Sequence, residues 1–468
     1  MFRYKAEDIK NPKNLTNIIE RFKENEIPRF TKLERYFRVK NDIYNRQTKD
    51  GKPNNKLAHG FAKYISKMAT GYFVGKPVRY IIESDDEDLE RYKELLTEIL
   101  DYNYTNNTNF EVAKEASKKG IAYEILYLDE NGKLRTKKFN AEEIIPIYSQ
   151  NIGEFLEAAI RIWSEVSFDG KTTTEYAALY TETEIITYAK KSNEKIYKQI
   201  ETDKHLLSDI PVIVYWNNEE QTGDYEDVIS LIDAYDKAQS DTANDSEYFA
   251  DAYLYIIGAS GGVTTGAGAD EDEDEDPSAA YRTMRRERVL ELDEKGQAGW
   301  LIKDVNDTAQ ENYKNRLYNN IFFSAQVPAM SDENFAGNLT GVAIRYKLIA
   351  LEELTAEKEN KFLSAQKKKI RIITEHLNEK YNKSFNADVV EIKTERNFID
   401  NLSEIIERAE KLDGIISKET TLGILPIIDD VGEEMEKIAK EQTAFIKAND
   451  IYENLDFNIR KENDNETI

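Results

Sequence analysis

Two short stretches carry the residue types that can hold a phosphate. Gly71-Tyr72-Phe73-Val74-Gly75-Lys76 resembles a glycine-rich cradle with a lysine behind it. Such a loop needs four residues between its glycines, so that backbone amides converge on the phosphates, and a Ser or Thr after the lysine to hold magnesium. Here the glycines have three residues between them and Pro77 follows the lysine. Gly170-Lys171-Thr172 keeps the end of the motif, but Glu165 stands where its first glycine belongs. Asp270, Asp272 and Asp274 mimic the start of a calcium loop within seven consecutive acids, 270–276. Glu275 takes the place of the required glycine and no spaced Glu closes the loop, so the tract reads as surface or disordered chain. His59, His205 and His376 stand in separate segments, there is no cysteine, and no His pair has metal-ligand spacing. Neither a G-x-S-x-G elbow nor an HExxH helix occurs, and carboxylate pairs say nothing in a chain with 89 acids. No catalytic residue, metal site or cofactor follows from the residues; a non-enzyme is expected.

The 468 residues exceed one ordinary core and predict two to four domains or a chain of subdomains. The formal charge is 64 − 89 = −25. That argues against sequence-specific DNA binding, which wants a basic face, and suits a surface that must not stick to DNA. The start, M-F-R-Y-K-A-E-D, has no signal-peptide core, and no window reaches the length of a membrane span. With no cysteine, an intracellular protein is the simplest reading. Asn338-Leu339-Thr340 then matches a glycosylation sequon by coincidence.

The chain is organised around Pro328–Gly341, P-A-M-S-D-E-N-F-A-G-N-L-T-G. A helical segment, Asp307–Ala325, precedes it. After it, Val342–Tyr381 contains neither Gly nor Pro, a rod of roughly 60 Å if helical throughout. Gly337 and Gly341 give the loop backbone freedom, with Pro328 at its start, and Asp332, Glu333 and Asn334 keep it wet. A polar loop between two rods is a moving part, not a pocket.

The N-terminal half reads as α+β. Short helices fill the first fifty residues. Leu57, Phe61, Ile65 and Met68 mark a helix that Gly71 is expected to end, followed by a strand over Val78–Ile82. Two helices are expected over 86–119, a hairpin from Ile121 through Asp129-Glu130-Asn131-Gly132 into Leu134, and further antiparallel strands up to Val214. A helix begins near Asp224, where Val228, Leu231, Tyr235, Ala238, Thr242 and Asp245 recur at spacings suited to a neighbouring helix. Its remaining face is acidic, nine Asp or Glu against Lys237 alone over Asp224–Asp251, and reads as a solvated face. Arginines 282, 285, 286 and 288 follow the acidic run, with strand-like V-L-E-L and W-L-I-K behind them. In the long helix Lys361, Lys367, Lys368, Lys369 and Arg371 form a basic band. It faces either solvent, DNA or an acidic neighbouring subunit, and any DNA contact there would be to phosphates.

Met330–Leu354, Asn54–Tyr80, Ile210–Tyr253 and Gly414–Glu441 resemble parts of tailed-bacteriophage portal proteins of the siphophage type found in phages of Gram-positive hosts. The resemblance implies an α+β ring subunit, with an α/β wing over 1–223 and a two-helix stem over 224–257 and 306–327. A small α/β clip would fill 258–305 and a tunnel loop 328–341. A long spine helix with a wing return would occupy 342–400, and a helical crown and tail 401–468. It implies a homo-oligomeric ring, usually twelve-fold, at one capsid vertex, through which double-stranded DNA is packaged and ejected. The partners would be the packaging terminase, a head-completion or tail adaptor, and capsid and scaffolding proteins, with no membrane. The subunit would assemble in the host cytoplasm and reside in the virion. On this resemblance Ser331, Asp332, Glu333, Asn334, Phe335, Asn338 and Thr340 would face DNA. Asp233, Asp236, Asp241 and Asp245 would belong to a negative channel wall that repels phosphates. The acidic tract followed by arginines would suit pairing between subunits.

Two other classes fit parts of the chain. A packaging ATPase needs the phosphate loop that both candidate stretches lack, and ATP hydrolysis would reveal it. An acidic, helical scaffolding or chaperone-like protein would form dimers or elongated particles without a central channel.

Overall fold

The computed structural model describes residues 2–48, 52–83, 86–153, 155–249, 253–257, 297–301, 307–330, 346–397, 402–412, 414–425, 428, 431–432 and 434–443. It is mixed α+β, as the residues imply. The chain divides into two units, Met1–Ala329 with Ile349–Asn397, and Met330–Leu348 with Phe398–Ile468.

The first unit opens with β1 (Phe2–Arg3), α1 (Ala6–Ile9), α2 (Pro12–Asn25) and α3 (Ile27–Phe37). Asn11 caps α2, its side chain accepting from the Lys13 amide, and Pro28 sits in the first turn of α3, where no intrahelical N–H is needed. Next come α4 (Phe61–Val74), β2 (Arg79–Ile81), α5 (Glu87–Tyr102), α6 (Thr105–Lys119), β3 (Ile121–Leu128) and β4 (Leu134–Phe139). They are followed by β5 (Ile144–Tyr148), β6 (Leu156–Val166), β7 (Thr173–Tyr180), β8 (Glu184–Lys191), β9 (Lys198–Lys204) and β10 (Val212–Trp216). Then come α7 (Ile229–Phe249), β11 (Tyr253–Ile257), β12 (Gln297–Leu301), α8 (Asp307–Ser324), α9 (Ile349–Tyr381) and β13 (Glu391–Lys393).

A six-stranded sheet, β1-β5-β6-β7-β8-β9, is antiparallel apart from the β1–β5 edge. Apolar side chains of α1–α3 close one core on it, including Ile9, Leu15, Ile19 and Phe22. In the second sheet, β10-β3-β4, the central strand β3 is buried on both faces over Ile121–Leu126, which explains its nearly continuous apolar run. Ile121, Tyr123 and Ile125 point into the first core. Ala122 and Leu126 point into a second core, shared with α5, α6 and the long helix α9. Glu124, on that same face by strand periodicity, is thereby aimed at α9. The turn from α6 into β3 needs Gly120: its φ is +83°, and a Cβ would lie 1.9 Å from the Gln221 carbonyl oxygen.

Two elements differ from expectation. Gly71 does not end α4, which continues to Val74 and is closed by Gly75. Helix α7 is described to Phe249 and does not run to 257, because Tyr253–Ile257 is a strand that pairs antiparallel with Gln297–Leu301. The described long helix starts at Ile349 and spans 33 residues, roughly 50 Å. The glycine-rich and acidic stretch with its arginines, and residues 331–345, lie outside the described residues.

The second unit contributes α10 (Leu402–Leu412) and α11 (Lys418–Gly423), the latter capped by Ser417, whose hydroxyl accepts from the Thr420 amide. Residues 434–443 are helical. No described helix is long and apolar enough to cross a membrane.

Candidate functional site

Side chains of α4 meet both described flanks of the Pro328–Gly341 stretch. Helix α8 ends in a paired-bond cap: the Gln326 amide bonds to the Phe323 carbonyl and the Val327 amide to that of Phe322. Gln326 takes φ +55° to make this turn, and Val327 is buried behind it. Pro328 then offers its carbonyl to the Tyr64 hydroxyl of α4 at 3.0 Å. Around that bond Phe61, Tyr64, Tyr318 and Phe322 pack edge to face, with Tyr235 of α7 against Phe61 at 5.1 Å between ring centroids. At the other flank the Tyr72 hydroxyl, also on α4, donates to Glu352 Oε2 at 2.8 Å. Arg396 forks onto the same carboxylate at 3.0 and 3.1 Å and reaches Glu359 at 2.8 Å. None of Tyr64, Tyr72, Glu352 or Arg396 is found by motif reading, since each acts through an element distant in sequence.

Of the predicted loop stretch only Pro328, Ala329 and Met330 are described, Pro328 being partly buried and Met330 exposed. Ser331, Asp332, Glu333, Asn334, Phe335, Gly337, Asn338, Thr340 and Gly341 lie outside the described residues.

The acids of α7 do not form a free face. Residues 41–46 and 55–59, between α3 and α4, run along that side of the helix as a strap. Asp236 is fully buried and accepts from Asn41 Nδ2 at 2.5 Å and from the His59 amide at 2.9 Å, with His59 Nδ1 at 2.7 Å. It therefore has no surface to give a channel wall, and that assignment is corrected. The Tyr36 hydroxyl donates to Asp233 at 2.5 Å, and burial lifts the Asp233 carboxyl above its ordinary range. Arg46 holds Asp241 at 2.5 Å. Further along, the Leu57 amide bonds to Ser240 Oγ and the Asn55 amide to Asn244 Oδ1. Asp245 is partly exposed. The Tyr235 side of α7 meets α4 and α8 as its spacing implied, and Thr242 donates to Gln310 of α8 at 3.3 Å.

The basic band also dissolves into separate roles. Lys369 is 0% exposed and sits 2.7 Å from Glu124, itself 0% exposed. Neither solvent nor DNA can reach it, so its place in an outward band is corrected. The Tyr215 hydroxyl donates to the second Glu124 oxygen at 2.8 Å, and Gln366 extends the network to Tyr215, Asn109 and Tyr80. Lys361 pairs with Glu219, and Arg371 with Asp209 at 2.9 Å. Lys368 stands 3.7 Å from Asp209, and burial lowers its pKa below the usual lysine range. Lys358, one turn before Lys361, pairs with Asp224. Lys367 is exposed. These cations fasten the long helix to β3 and to the 209–224 segment.

The phosphate-loop stretches are equally occupied by structure. Gly71 lies within α4, a Cβ on Gly75 would lie 2.5 Å from Asn397 Nδ2, and Lys76 is 3.6 Å from Glu395. Gly170 turns a hairpin at φ +70°.

Against known proteins, a family model described as "Phage portal protein, SPP1 Gp6-like" matches residues 17–447. The chain belongs to this phage portal family. Among its relatives, the portal protein of Bacillus phage SPP1 is 27% identical over 438 residues, covering 88% of this chain and 83% of the relative. That of Clostridium phage phiCD119 is 28% identical over 450 residues, covering 90% and 94%. A solved structure described as "Neck of empty GTA particle computed with C6 symmetry" aligns at 10% identity and TM-score 0.44 over 79% of this chain and 90% of its own. The portal family is structural, and its proteins are components of the phage particle.

Proposed function

We propose that this chain forms a homo-oligomeric ring, twelve-fold, at one capsid vertex and provides the channel through which double-stranded DNA is packaged and ejected. The observation that carries the reading is the family match across residues 17–447, which includes the whole Pro328–Gly341 stretch. The fixing of Pro328 and Glu352 onto one helix supports it further. In this reading the loop residues Ser331, Asp332, Glu333, Asn334, Phe335, Asn338 and Thr340 reach the DNA, with Pro328, Gly337 and Gly341 as hinges. The outer surface docks the packaging terminase, the tail adaptor, and capsid and scaffolding proteins. Assembly takes place in the host cytoplasm.

The wall role passes from the acids of α7, of which Asp241 and Asp245 keep some surface, to the outward face of α8. That face exposes Asn312, Asn315, Asn319, Asn320 and Phe323, with Glu311 and Arg316 as its charges. Amides form weak, neutral hydrogen bonds that phosphates can exchange for water at little cost, so DNA slides without adhering.

Light scattering with negative-stain images tests the ring. A particle of about twelve chain masses with a central hole is expected for this family reading, and a solid elongated dimer would overturn it. Gly337→Ala and Gly341→Ala test the loop: rings should assemble and DNA packaging should fall. Normal packaging by both variants would remove the loop from the mechanism.

A further inference from the structure

We infer that α4 is the bar that sets the separation of the two ends of the loop segment, with Tyr64 and Tyr72 as its positioning residues. The inference deepens the proposed role of the loop and rests on it. The chain leaves the first unit after Ala329 and re-enters it at Ile349. At the departing end Tyr64 holds the Pro328 carbonyl, and its ring packs against Phe322 at 5.4 Å. At the returning end Tyr72 holds Glu352, which Arg396 also grips. The backbone carbonyl of Tyr72 accepts from the Asn397 amide at 2.9 Å, tying the segment that carries Arg396 to the same residue.

The two tyrosines are eight residues apart on one helix, about 12 Å along its axis. Helix α4 is itself locked in place: Ala62, Ile65, Ser66 and Ala69 are at most 1% exposed, and Ser66 accepts from Ser117 of α6 at 2.8 Å. The bar therefore cannot shorten, tilt or slide without opening the core. A loop whose ends are fixed this way passes force from its tip into the subunit; a loop with one slack end yields instead. Tyr64 and Tyr72 touch no DNA in this scheme. They act through Pro328 and Glu352.

The absence of cysteine makes a clean test. A fluorophore is placed on Asn338→Cys in the assembled ring, and its anisotropy decay is read in the parent, Tyr64→Phe and Tyr72→Phe. Tyr225→Phe serves as control: its hydroxyl is also buried and bonded, to the Leu33 carbonyl at 2.8 Å, but lies away from either flank. Phenylalanine keeps each ring and removes only the hydroxyl. The expected result is a freer label in both flank variants, with the held-to-free ratio of the flank lower by roughly fivefold, the factor one hydrogen bond of ordinary net strength sets, a packaging rate below the parent's, and an unchanged label in Tyr225→Phe. Flank variants that shift only the melting temperature, as the control does, or that leave label and packaging at parent values, overturn the bar. Normal packaging by Gly337→Ala and Gly341→Ala removes the loop's role on DNA. The label experiment still decides the bar in that case, so the two failures are separable.

Discussion

Replacing Lys369 by Met separates two accounts of the long helix. Its ammonium lies 2.7 Å from Glu124, and both side chains are wholly buried. Methionine fills much of the space of the lysine stem, so packing is largely kept. What disappears is the counter-charge, leaving Glu124 with the Tyr215 hydroxyl bond at 2.8 Å. Removing one partner of a buried pair costs about 3–5 kcal/mol, whereas removing both is often near neutral. Urea unfolding at pH 7 should therefore show a loss of that size for Lys369→Met. Adding Glu124→Leu should restore most of it, with a coupling energy of about 2–3 kcal/mol in the double-mutant cycle. An outward lysine on DNA predicts the reverse: no change in unfolding, and a salt slope of DNA binding smaller by about 1. A stability loss below about 1 kcal/mol for the single variant would refute the burial argument.

Acid should weaken the fold through Glu115. Burial alone would raise its pKa, but Lys119, Lys118 and Lys138 hold it at about 2, against the ordinary glutamate value of 4.5. Its contribution is full above pH 4.5 and is lost as pH falls towards 2, so Glu115→Gln should flatten the pH dependence of urea unfolding in that window. Gln326→Gly should raise stability by about 0.5–1 kcal/mol, since φ +55° strains a side chain and not a glycine; calorimetry of the ring reads it. Gly75→Ala should cost about 2 kcal/mol or more by the same method, on the order expected of overpacking, because the new Cβ would meet the Gly71 oxygen at 2.1 Å. Asn315→Lys with Asn319→Lys should slow packaging most at low salt, by creating phosphate contacts on α8, whereas the aspartate pair should package near the parent rate. Equal rates for the two pairs would remove α8 from the DNA path.

Local patterning made much of the architecture legible. Strand β3 and its hairpin, the two helices α5 and α6, and the helices α8 and α9 on either side of the loop stretch follow from period, turn residues and caps. The polar assignments were harder. A charged face of a helix looks the same in sequence whether water, a neighbouring subunit or a strap from the same chain covers it. Asp236 illustrates this: its partners are Asn41 and His59, nearly two hundred residues earlier. The signal for Lys369 was present. It lies seven residues after Phe362 and four before Ile373, both buried, so helical periodicity puts it on the inward stripe. Lys367 falls off that stripe and is exposed. Composition drew the eye to a band where spacing would have separated one lysine from the rest.

The same spacing argument explains why Tyr64 and Tyr72 of α4 do not stand out in the sequence. Its sequence is small and apolar, with glycines that suggest a phosphate loop, and its two tyrosines fall just off the buried stripe of Ile65, Ala69 and Phe73. A position beside the stripe is where a long aromatic side chain can lie over the core and send its hydroxyl to a neighbouring element. Tyr64 and Tyr72 do so in opposite directions along the chain, to the end of α8 and the start of α9. The glycines serve this packing: Gly75 leaves room for Asn397, which brings Arg396 to Glu352. What resembled a fragment of a nucleotide site is thus the seat of the segment's second anchor.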